Sequence, residues 1–425
     1  MSRIAVVGTG YVGLTTGACL SSLGHDVVCI DVDAEKVELL RGGEIPIYEE
    51  GLRELVVDGL RLGTLRFTTE LDSVRDREFV YLCVPTPQSS DGSADLSFVE
   101  RAAADLGPLV ADDAVIINKS TVPVGSTGVV ECAMGRDHAH VVSNPEFLRE
   151  GTAVADFLNP DRVVIGAVEP DVAIRVAALY TALAAPVIVT DPASAELIKY
   201  ASNAFLATKI SFVNAVAAVS EAVGADMKDV VLGIGYDHRI GKEFLRPGPG
   251  WGGSCFPKDT KALIRIAADA GYQFSLLEGV VAVNEQQFDR VVDKVAGMLG
   301  GDVAGRVIAA WGLTFKARTD DRRDSPAIEI IQRLVRAGAR VQAYDPAVPV
   351  GLELLEGVEV VGDSYAACSG ADVVVVLTEW DEFRWLDFDK VAGELNELRI
   401  VDARNLLDRN SLVSRSFEYS GIGRS

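Results

Sequence analysis

A cysteine follows a glycine-rich loop in the run GPGWGGSCFPKD at residues 248–259. Pro257 is a favoured first residue of a helix, so Cys255 is expected at or just before a helix N-terminus, close to Lys258. Both features stabilise a thiolate and lower the pKa of a cysteine. The glycines would let a ligand approach the sulfur closely. A small buried cysteine in a structural loop is the alternative, but the sequence favours a nucleophile that forms a covalent intermediate.

A second motif predicts a dinucleotide site. Gly8, Gly10 and Gly13 form a GxGxxG turn that follows an apolar run and opens a helical pattern. Such a turn brings backbone and a helix N-terminus to a pyrophosphate. Asp31 lies about 20 residues further on, where an acid binds both ribose hydroxyls and repels a 2′-phosphate. The pattern therefore predicts NAD rather than NADP; a tight turn that binds nothing is the alternative.

Basic residues stand in two further places where they could do chemistry. Lys199 and Asn203 lie one helical turn apart in a long apolar run and so share a face. Lys199 could stabilise a developing alkoxide, or it could reach solvent or pair with Glu196. The basic run RIGKEFLR at 239–246 is a candidate phosphate clamp, with a solvated loop as the alternative.

The elements that must position these groups follow an α/β pattern at both ends of the chain. Strand-like and helix-like runs alternate at the start and again from Arg306, and strands end at both Asp31 and Asp345. Between them, the apolar run 194–224 predicts a rod of roughly 45 Å, buried between domains or subunits. The sequence therefore predicts an α/β protein with two Rossmann-like, doubly wound domains joined by a long central helix and a helical middle domain. The predicted domains are 1–193 for NAD, 194–299 for the helical middle part, and 300–425 for the second α/β pattern.

Composition narrows the class of protein. The chain has 425 residues and a formal charge of −22, which disfavours nucleic acid as a partner. A membrane-spanning helix needs roughly 18–20 consecutive apolar residues, and no uninterrupted apolar run in the sequence approaches that length. The six cysteines include no CxxC pair, so neither a disulfide framework nor a metal site is expected. A cytoplasmic enzyme without a nucleic-acid or membrane partner is the resulting expectation.

The chain resembles the nucleotide-sugar 6-dehydrogenases from residue 4 to about residue 405. The motifs that carry the resemblance are GTGYVG, PIYEEGL, CVPTP, KSTVPVG, SNPEFLREGTAVADFLNPDRVVIG, ELIKYASNAFLATKISFVN, RPGPGWGGSCFPKD, FKARTDDRRDSP and YDP. The resemblance implies that two molecules of NAD oxidise a sugar alcohol to an acid through a thiohemiacetal and a thioester on the cysteine. It also implies a homodimer built on the helices of the domain 194–299 and a nucleotide-sugar site in the domain 300–425.

The resemblance also implies roles for individual residues. The catalytic set is Cys255, Lys199, Asp259, Asn203, Glu146 and Thr121, with Glu146 as the expected base. Cofactor contacts are implied at Val12, Asp31, Lys36, Thr86, Thr121, Glu150, Lys258 and Arg323. Substrate contacts are implied at Glu146, Phe147, Leu148, Arg149, Lys199, Asn203, Arg239, Phe244, Leu245, Arg246, Pro247, Gly248, Gly252, Lys316 and Arg404. Arg239 corresponds to an arginine donated across the dimer, and Arg404 to one near the sugar carboxylate.

Three positions bear on the substrate. Trp251 departs from the Tyr or Phe that is more usual in the family but remains a large aromatic. Relatives that act on GDP-mannose usually carry Leu in place of Phe256, and those that act on N-acetylated sugars carry His in place of Ser254. Both positions favour UDP-glucose. GDP-mannose, a single-step alcohol or hydroxyacid dehydrogenase, and a non-catalytic nucleotide-sugar or NAD sensor remain the alternatives.

Overall fold

The computed structural model describes residues 1–89, 92–136 and 139–424. The chain forms two compact units. The N-terminal unit consists of Met1–Ser202 and Lys261–Ala270, and the C-terminal unit consists of Asn203–Thr260 and Gly271–Ser425. The division into three domains made from the sequence stays a prediction.

An eight-stranded sheet forms the centre of the N-terminal unit. Its strands are β1 Arg3–Val7, β2 Asp26–Ile30, β3 Leu65–Thr68, β4 Phe79–Leu82, β5 Val115–Asn118, β6 His140–Ser143, β7 Val163–Gly166 and β8 Val187–Thr190. They lie in the order β3-β2-β1-β4-β5-β6-β7-β8. The first six are parallel in the Rossmann order, whereas β7 pairs with β6 in the antiparallel sense. The carboxyl ends of β1, β4 and β5 therefore meet at one edge of the sheet.

Helices cover both faces of this sheet, because its strands are apolar on both sides. They are α1 Tyr11–Ser22, α2 Ala34–Arg41, α3 Leu52–Leu62, α4 Ser97–Leu106, α5 Ser126–Met134, α6 Ala153–Leu158 and α7 Pro170–Ala177, with 3₁₀ turns at Leu71–Val74 and Ala178–Tyr180. One buried core contains side chains from α1, α3, α6 and α7. The other contains side chains from α4 and α5 on the opposite face.

Two long helices contribute residues to both units. They are α8 Pro192–Val223 and α10 Phe256–Asp269, and α9 Met227–Gly235 lies between them in the chain. Among the helices that the structure describes, α8 alone is long and apolar enough to cross a membrane by length and composition, and a third of its most apolar window is buried. Core helices of soluble proteins pass the same test, so this property assigns no membrane role.

A six-stranded parallel sheet forms the centre of the C-terminal unit. Its strands are β9 Val307–Trp311, β10 Arg340–Tyr344, β11 Val358–Val360, β12 Val373–Val376, β13 Arg399–Asp402 and β14 Glu418–Gly421, in the order β11-β10-β9-β12-β13-β14. Its helices are α11 Ser275–Met298, α12 Pro326–Arg336, α13 Ser364–Cys368, α14 Phe388–Glu394 and α15 Arg409–Ser414, with a 3₁₀ turn at Asp381–Trp385. This order repeats that of β1 to β6, which confirms two Rossmann-like sheets and a long central helix.

The predicted similarity of the two halves extends to a hydrogen-bonding pattern. Asp31 follows β2 and accepts from the backbone N–H and the hydroxyl of Thr9 at 2.8 and 2.6 Å. Asp345 follows β10 and accepts from the backbone N–H and hydroxyl of Thr314 at 3.0 and 2.9 Å. In each sheet, a buried acid thus fixes the turn that leaves the first strand.

Candidate active site

The turn between β1 and α1 has the geometry that a dinucleotide requires. Gly8 has a φ of 94°, and a Cβ there would lie 2.6 Å from the carbonyl oxygen of Cys83. A Cβ at Gly13 would lie 1.9 Å from the carbonyl oxygen of Gly8. At Gly10, by contrast, a Cβ would meet no protein atom within 4 Å. Gly8 and Gly13 thus serve packing, while Gly10 leaves the N-terminus of α1 open to a pyrophosphate.

Asp31 is buried at the end of β2, where the sequence predicts a ribose contact. Its Oδ2 atom accepts from Thr9 and, at 2.7 Å, from Lys36 Nζ, and its Oδ1 atom accepts from the backbone of Asp33 at 3.1 Å. Burial opposes ionisation of Asp31, but the hydrogen bonds from Lys36 and Thr9 outweigh it and lower the pKa to about 2. The group is therefore an anion at neutral pH, as an acceptor of ribose hydroxyls must be.

Glu146 and Lys199, both predicted catalytic residues, form a buried ion pair in the N-terminal unit. Lys199 Nζ donates to Glu146 Oε1 at 2.8 Å, and the backbone N–H of Leu148 donates to Oε2 at 2.6 Å. Lys199 therefore pairs with Glu146, and Glu196, its alternative partner from the sequence, instead accepts from Gly125 and Thr127 at the start of α5. A carboxylate held in this way can accept a proton from water only if the contact with the lysine loosens.

A second buried lysine lies in the same unit and was not assigned a role from the sequence. Lys119 follows β5, and its Nζ donates to Asn144 Oδ1 at 3.0 Å. The hydroxyl of Tyr180 donates to the same oxygen at 2.7 Å. Burial lowers the pKa of Lys119 to about 8, and the negative charge of Glu146 opposes this shift. The sequence shows that Lys119 follows a strand-like apolar run, but only the tertiary structure shows that its side chain is buried.

Cys255 lies directly before α10, as the sequence predicts. The backbone N–H of Asp259 donates to the carbonyl oxygen of Cys255 at 2.9 Å, so Cys255 occupies the N-cap position. Its side chain is half-buried, and its Sγ lies 3.6 Å from Ser254 Oγ. A thiol at this position lies at the positive end of the helix dipole, which favours the thiolate.

Asp259 is fully buried and is bound by two other predicted site residues. Asn203 Nδ2 donates to Asp259 Oδ2 at 2.6 Å, and Lys258 Nζ donates to Oδ1 at 2.7 Å. The ammonium group of Lys258 is therefore engaged by Asp259, although the sequence placed it beside the thiol. The charge of Lys258 offsets that of a carboxylate that would otherwise destabilise a nearby thiolate.

Buried amides hold the glycine loop that precedes Cys255. Asn284 Oδ1 accepts from the backbone N–H of Trp251 at 2.8 Å, and its Nδ2 donates to the carbonyl of Trp251 at 2.9 Å. Gln287 donates to the carbonyl of Gly248 at 2.7 Å, and Asn214 accepts from the Gly248 N–H at 2.8 Å. Sequence reasoning missed these amides; polar residues on otherwise apolar helix faces of α8 and α11 were the available signal.

Steric limits explain the glycines of this loop. A Cβ at Gly250 would lie 2.8 Å from Asn284 Oδ1, and one at Gly252 would lie 2.0 Å from the carbonyl oxygen of Asp324. The indole N–H of Trp251 donates to Ser211 at 2.9 Å. The ring centroids of Phe256 and Trp251 lie 6.5 Å apart. Tryptophan, in place of the Tyr or Phe more usual in the family, therefore still packs against a neighbouring aromatic ring.

Arg404 is held close to the glycine loop that precedes Cys255. Its Nε donates to the carbonyl of Leu377 and its Nη2 to that of Phe315, each at 2.8 Å. A Cβ on Gly248 would lie 3.8 Å from its Nη1. The guanidinium plane is thus fixed by the backbone beside the predicted substrate loop.

The remaining predicted residues have different environments within their own units. In the N-terminal unit, Thr86 donates to the carbonyl of Thr121 at 2.9 Å, and Arg149 pairs with Asp156 at 2.6 Å. Two arginines are exposed and bound to neighbouring carboxylates, namely Arg239 to Asp237 at 2.5 Å and Arg323 to Asp321 at 2.7 Å. Leu245 is buried; the partly buried residues are Val12, Phe147, Leu148, Glu150, Phe244, Pro247 and Lys316. Arg246 is exposed, so the basic run is not a preformed clamp within its own unit.

Curated relatives cover the whole chain. The UDP-glucose 6-dehydrogenase of Bacillus subtilis is 46% identical, with 100% of this chain and 94% of the relative covered. The UDP-glucose 6-dehydrogenase of Rhizobium meliloti is 45% identical, with 99% of each covered.

Solved structures agree with these relatives. The chain is similar to a UDP-glucose dehydrogenase from Pyrobaculum islandicum, with a TM-score of 0.91, 37% identity, and 100% of this chain and 98% of that chain covered. It is also similar to a UDP-D-ManNAc dehydrogenase from Pyrococcus horikoshii, with a TM-score of 0.88, 26% identity and 99% of each chain covered. The predicted fold class is therefore confirmed.

Three family models match the chain in succession. They describe the NAD binding domain, the central domain and the UDP binding domain of one family, and they match residues 2–184, 193–286 and 309–409. The predicted cofactor NAD and the assignment as an NAD-dependent oxidoreductase are thereby confirmed. A nucleotide sugar is supported as the class of substrate. The chain belongs to the UDP-glucose/GDP-mannose dehydrogenase family.

Proposed function

We propose that the protein oxidises the C6 alcohol of UDP-glucose to the carboxylate, giving UDP-glucuronate, through a thioester on Cys255. The observation that carries the mechanism is the position of the Cys255 thiol at the N-cap of α10, behind a loop in which Gly250, Gly252 and Gly253 leave no room for a side chain. A dehydrogenase that makes one oxidation needs no such nucleophile. The names of the full-length relatives support the substrate.

The C-terminal unit supplies the covalent chemistry in this proposal. NAD held by the turn of Gly8, Gly10 and Gly13, with its ribose at Asp31, would supply the hydride acceptor for each of the two oxidations. After the first, the Cys255 thiolate attacks the aldehyde carbon, and the resulting thiohemiacetal loses the second hydride to leave a thioester. Asp259 and Asn203, bonded to each other at 2.6 Å, orient the sugar and a water molecule. Arg404 faces the developing carboxylate.

Lys199 and Glu146 are the proposed sources of charge and of the base in these steps. Lys199 stabilises the oxyanion of the alkoxide and of the tetrahedral intermediates. Glu146 removes a proton from the water that hydrolyses the thioester, and Thr121 positions that water. Formation of an oxyanion draws Lys199 away from Glu146, since one ammonium group cannot neutralise both anions fully. The 2.8 Å ion pair is thus the resting arrangement of a base that is released during turnover.

The substrate is tested by counting NADH against nucleotide sugar. UDP-glucose should give about two NADH per molecule, because two hydrides leave the same carbon. GDP-mannose and UDP-N-acetylmannosamine serve as the comparison substrates. Turnover of GDP-mannose without turnover of UDP-glucose would overturn the substrate, and one NADH per sugar would overturn the mechanism.

The covalent step is tested with Cys255→Ser. Serine keeps the backbone N-cap and the glycine loop, so NADH and UDP-glucose should still bind. Steady-state NADH production should fall by several powers of ten, roughly the range seen when a nucleophile is removed. Intact-mass measurement after mixing with UDP-glucose and NAD checks for a slowly hydrolysed sugar-acyl ester. Near-normal turnover with two NADH per sugar would show that Cys255 is structural.

We further propose a cytoplasmic homodimer. Apolar side chains remain exposed on α8 in the single chain, and the proposed substrate residue Arg239 points away from the core with most of its side chain exposed. A second copy of the chain that covers α8 would bury the apolar surface and place Arg239 against the partner.

A further inference from the structure

Three helices of the N-terminal unit begin close to one buried carboxylate, that of Glu49. The helices α1 and α3 pack on each other, as do α1 and α6, and all three contribute to one core. They begin at Tyr11, Leu52 and Ala153, and the carbonyl of Glu49 accepts from the N–H of Leu52. Helix N-termini carry partial positive charge, so they stabilise an anion that is otherwise costly to bury.

The side chain of Glu49 joins two of these helix starts. It accepts from the hydroxyl of Tyr11, from the backbone N–H of Gly151 at 2.7 Å and from that of Val154 at 3.3 Å. Gly151 also donates to the hydroxyl of Tyr11 at 2.6 Å. The three groups therefore contact one another directly. Gly151 has a φ of 79°, so a residue with a side chain would be strained at this point.

The two ends of this contact belong to different parts of the site. Tyr11 is the first residue of α1 and lies inside the GxGxxG turn that receives NAD. Gly151 ends the loop 146–151, which begins with Glu146 and contains predicted sugar and cofactor contacts. The run PIYEEGL, in which Glu49 lies, has no role in the chemistry proposed above.

We propose that Tyr11, Glu49 and Gly151 couple occupancy of the NAD turn to the order of the loop 146–151. A dinucleotide on the N-terminus of α1 restrains Tyr11. Because its hydroxyl bonds to Glu49 and Gly151, the loop then loses less freedom when it binds its own ligand, which is positive linkage. Tyr11 and Glu49 are thus positioning residues. The identity of the loop's ligand as the sugar nucleotide rests on the proposed function, whereas the coupling itself does not.

Two conservative variants of the full chain test the coupling by hydrogen–deuterium exchange with and without saturating NADH. In the parent protein, NADH should slow amide exchange in both 8–14 and 146–154, by roughly fivefold or more in the loop. Tyr11→Phe removes one oxygen, and Glu49→Gln replaces one acceptor oxygen by a donor. In both variants NADH should still slow exchange in 8–14, while the response of 146–154 should fall clearly below that of the parent, leaving only the part that the implied cofactor contact of Glu150 causes directly.

Matched controls come from the same segment. Tyr48→Phe and Glu50→Gln make the same chemical changes at neighbouring exposed residues, and they should keep the parent response in both regions. A loop that responds to NADH in Tyr11→Phe and Glu49→Gln as it does in the parent overturns the proposal, as does a parent loop that ignores NADH. If either Tyr11→Phe or Glu49→Gln no longer binds NADH, the loop response of the other variant decides whether the coupling exists. Because no sugar is added, a wrong substrate assignment would leave these outcomes unchanged.

Discussion

Lys119 shows how the environment of one residue can set its charge. It is buried after β5, with the amide of Asn144 as its hydrogen-bond acceptor and with Glu146, Cys83 and Lys199 close enough to interact electrostatically. Burial disfavours the ammonium form, and Lys199 adds to this effect, whereas Glu146 opposes it. The outcome is a lysine whose pKa is lowered to about 8 and whose charge interacts with that of the proposed base.

This environment predicts a pH-dependent contribution to stability. The folded pKa of about 8 lies below the ordinary 10.5, so between these values the unfolded chain binds more protons than the folded protein. Stability should therefore rise with pH over this window, by up to about 3 kcal/mol relative to Lys119→Met. Urea unfolding of both proteins from pH 7 to 11 measures the difference.

The exposed Lys228→Met serves as the control for loss of one lysine. A difference between parent and Lys119→Met that stays constant across the window would show that burial does not shift the titration of Lys119.

At the scale of elements, the thiol depends on a loop held by helices from elsewhere in the chain. The loop has no regular hydrogen bonds of its own around Trp251, and the side-chain amide of Asn284 on α11 satisfies both backbone groups of that residue. Gln287, one turn further along α11, binds the carbonyl of Gly248. The helix thus substitutes for a neighbouring strand and fixes the path of the backbone toward Cys255.

Removal of the hydrogen bonds between Asn284 and Trp251 should make the position of the Cys255 thiol less fixed and leave the NAD turn unchanged. Asn284→Ala loses two buried hydrogen bonds, each worth about 1 kcal/mol or more when its partner is left unsatisfied. We expect kcat to fall by at least about tenfold, and the rate of Cys255 alkylation by iodoacetamide to change, while NADH affinity stays within about twofold.

Gln286→Ala, at an exposed position on the same helix, is the matched control and should resemble the parent in all three measurements. If the alkylation rate and kcat are unchanged in Asn284→Ala, Asn284 contributes only to the stability of the fold and does not position Cys255.

At the scale of the whole molecule, α8 presents an apolar surface that a single chain leaves in water. Phe205, Phe212, Val219 and Val223 are all more than half exposed. Their spacing of seven, seven and four residues places them along one face of the helix. Exposed patches of this kind are typical of sites where another protein subunit binds.

A charge at the centre of this face should therefore break the proposed dimer. Phe212→Glu should shift the protein toward monomers in sedimentation-velocity experiments, because an unpaired carboxylate in an apolar interface is strongly unfavourable. Phe98→Glu introduces the same change at an exposed phenylalanine of α4 and should leave the mass unchanged. If the Phe212→Glu protein sediments with the mass of the parent oligomer, α8 does not form the interface.

The sequence alone determined those features whose physics is local. The glycines of the NAD turn, Asp31 at the end of β2 and Cys255 before α10 all follow from short-range rules of strands, turns and helix caps. The alternation of strands and helices likewise indicated two Rossmann-like sheets. The strand order of each sheet follows the most common solution for such a pattern.

Only the tertiary structure decided how distant polar groups pair. The choice of Glu146 rather than Glu196 as the partner of Lys199, the bond between Asn203 and Asp259, and the support of the glycine loop by Asn284 join residues whose spacing in the chain carries no such information. The antiparallel pairing of β7 with β6 is similar, since strand periodicity is the same in either direction. These contacts depend on packing in three dimensions, where burial makes each unsatisfied polar group costly and so selects one set of partners.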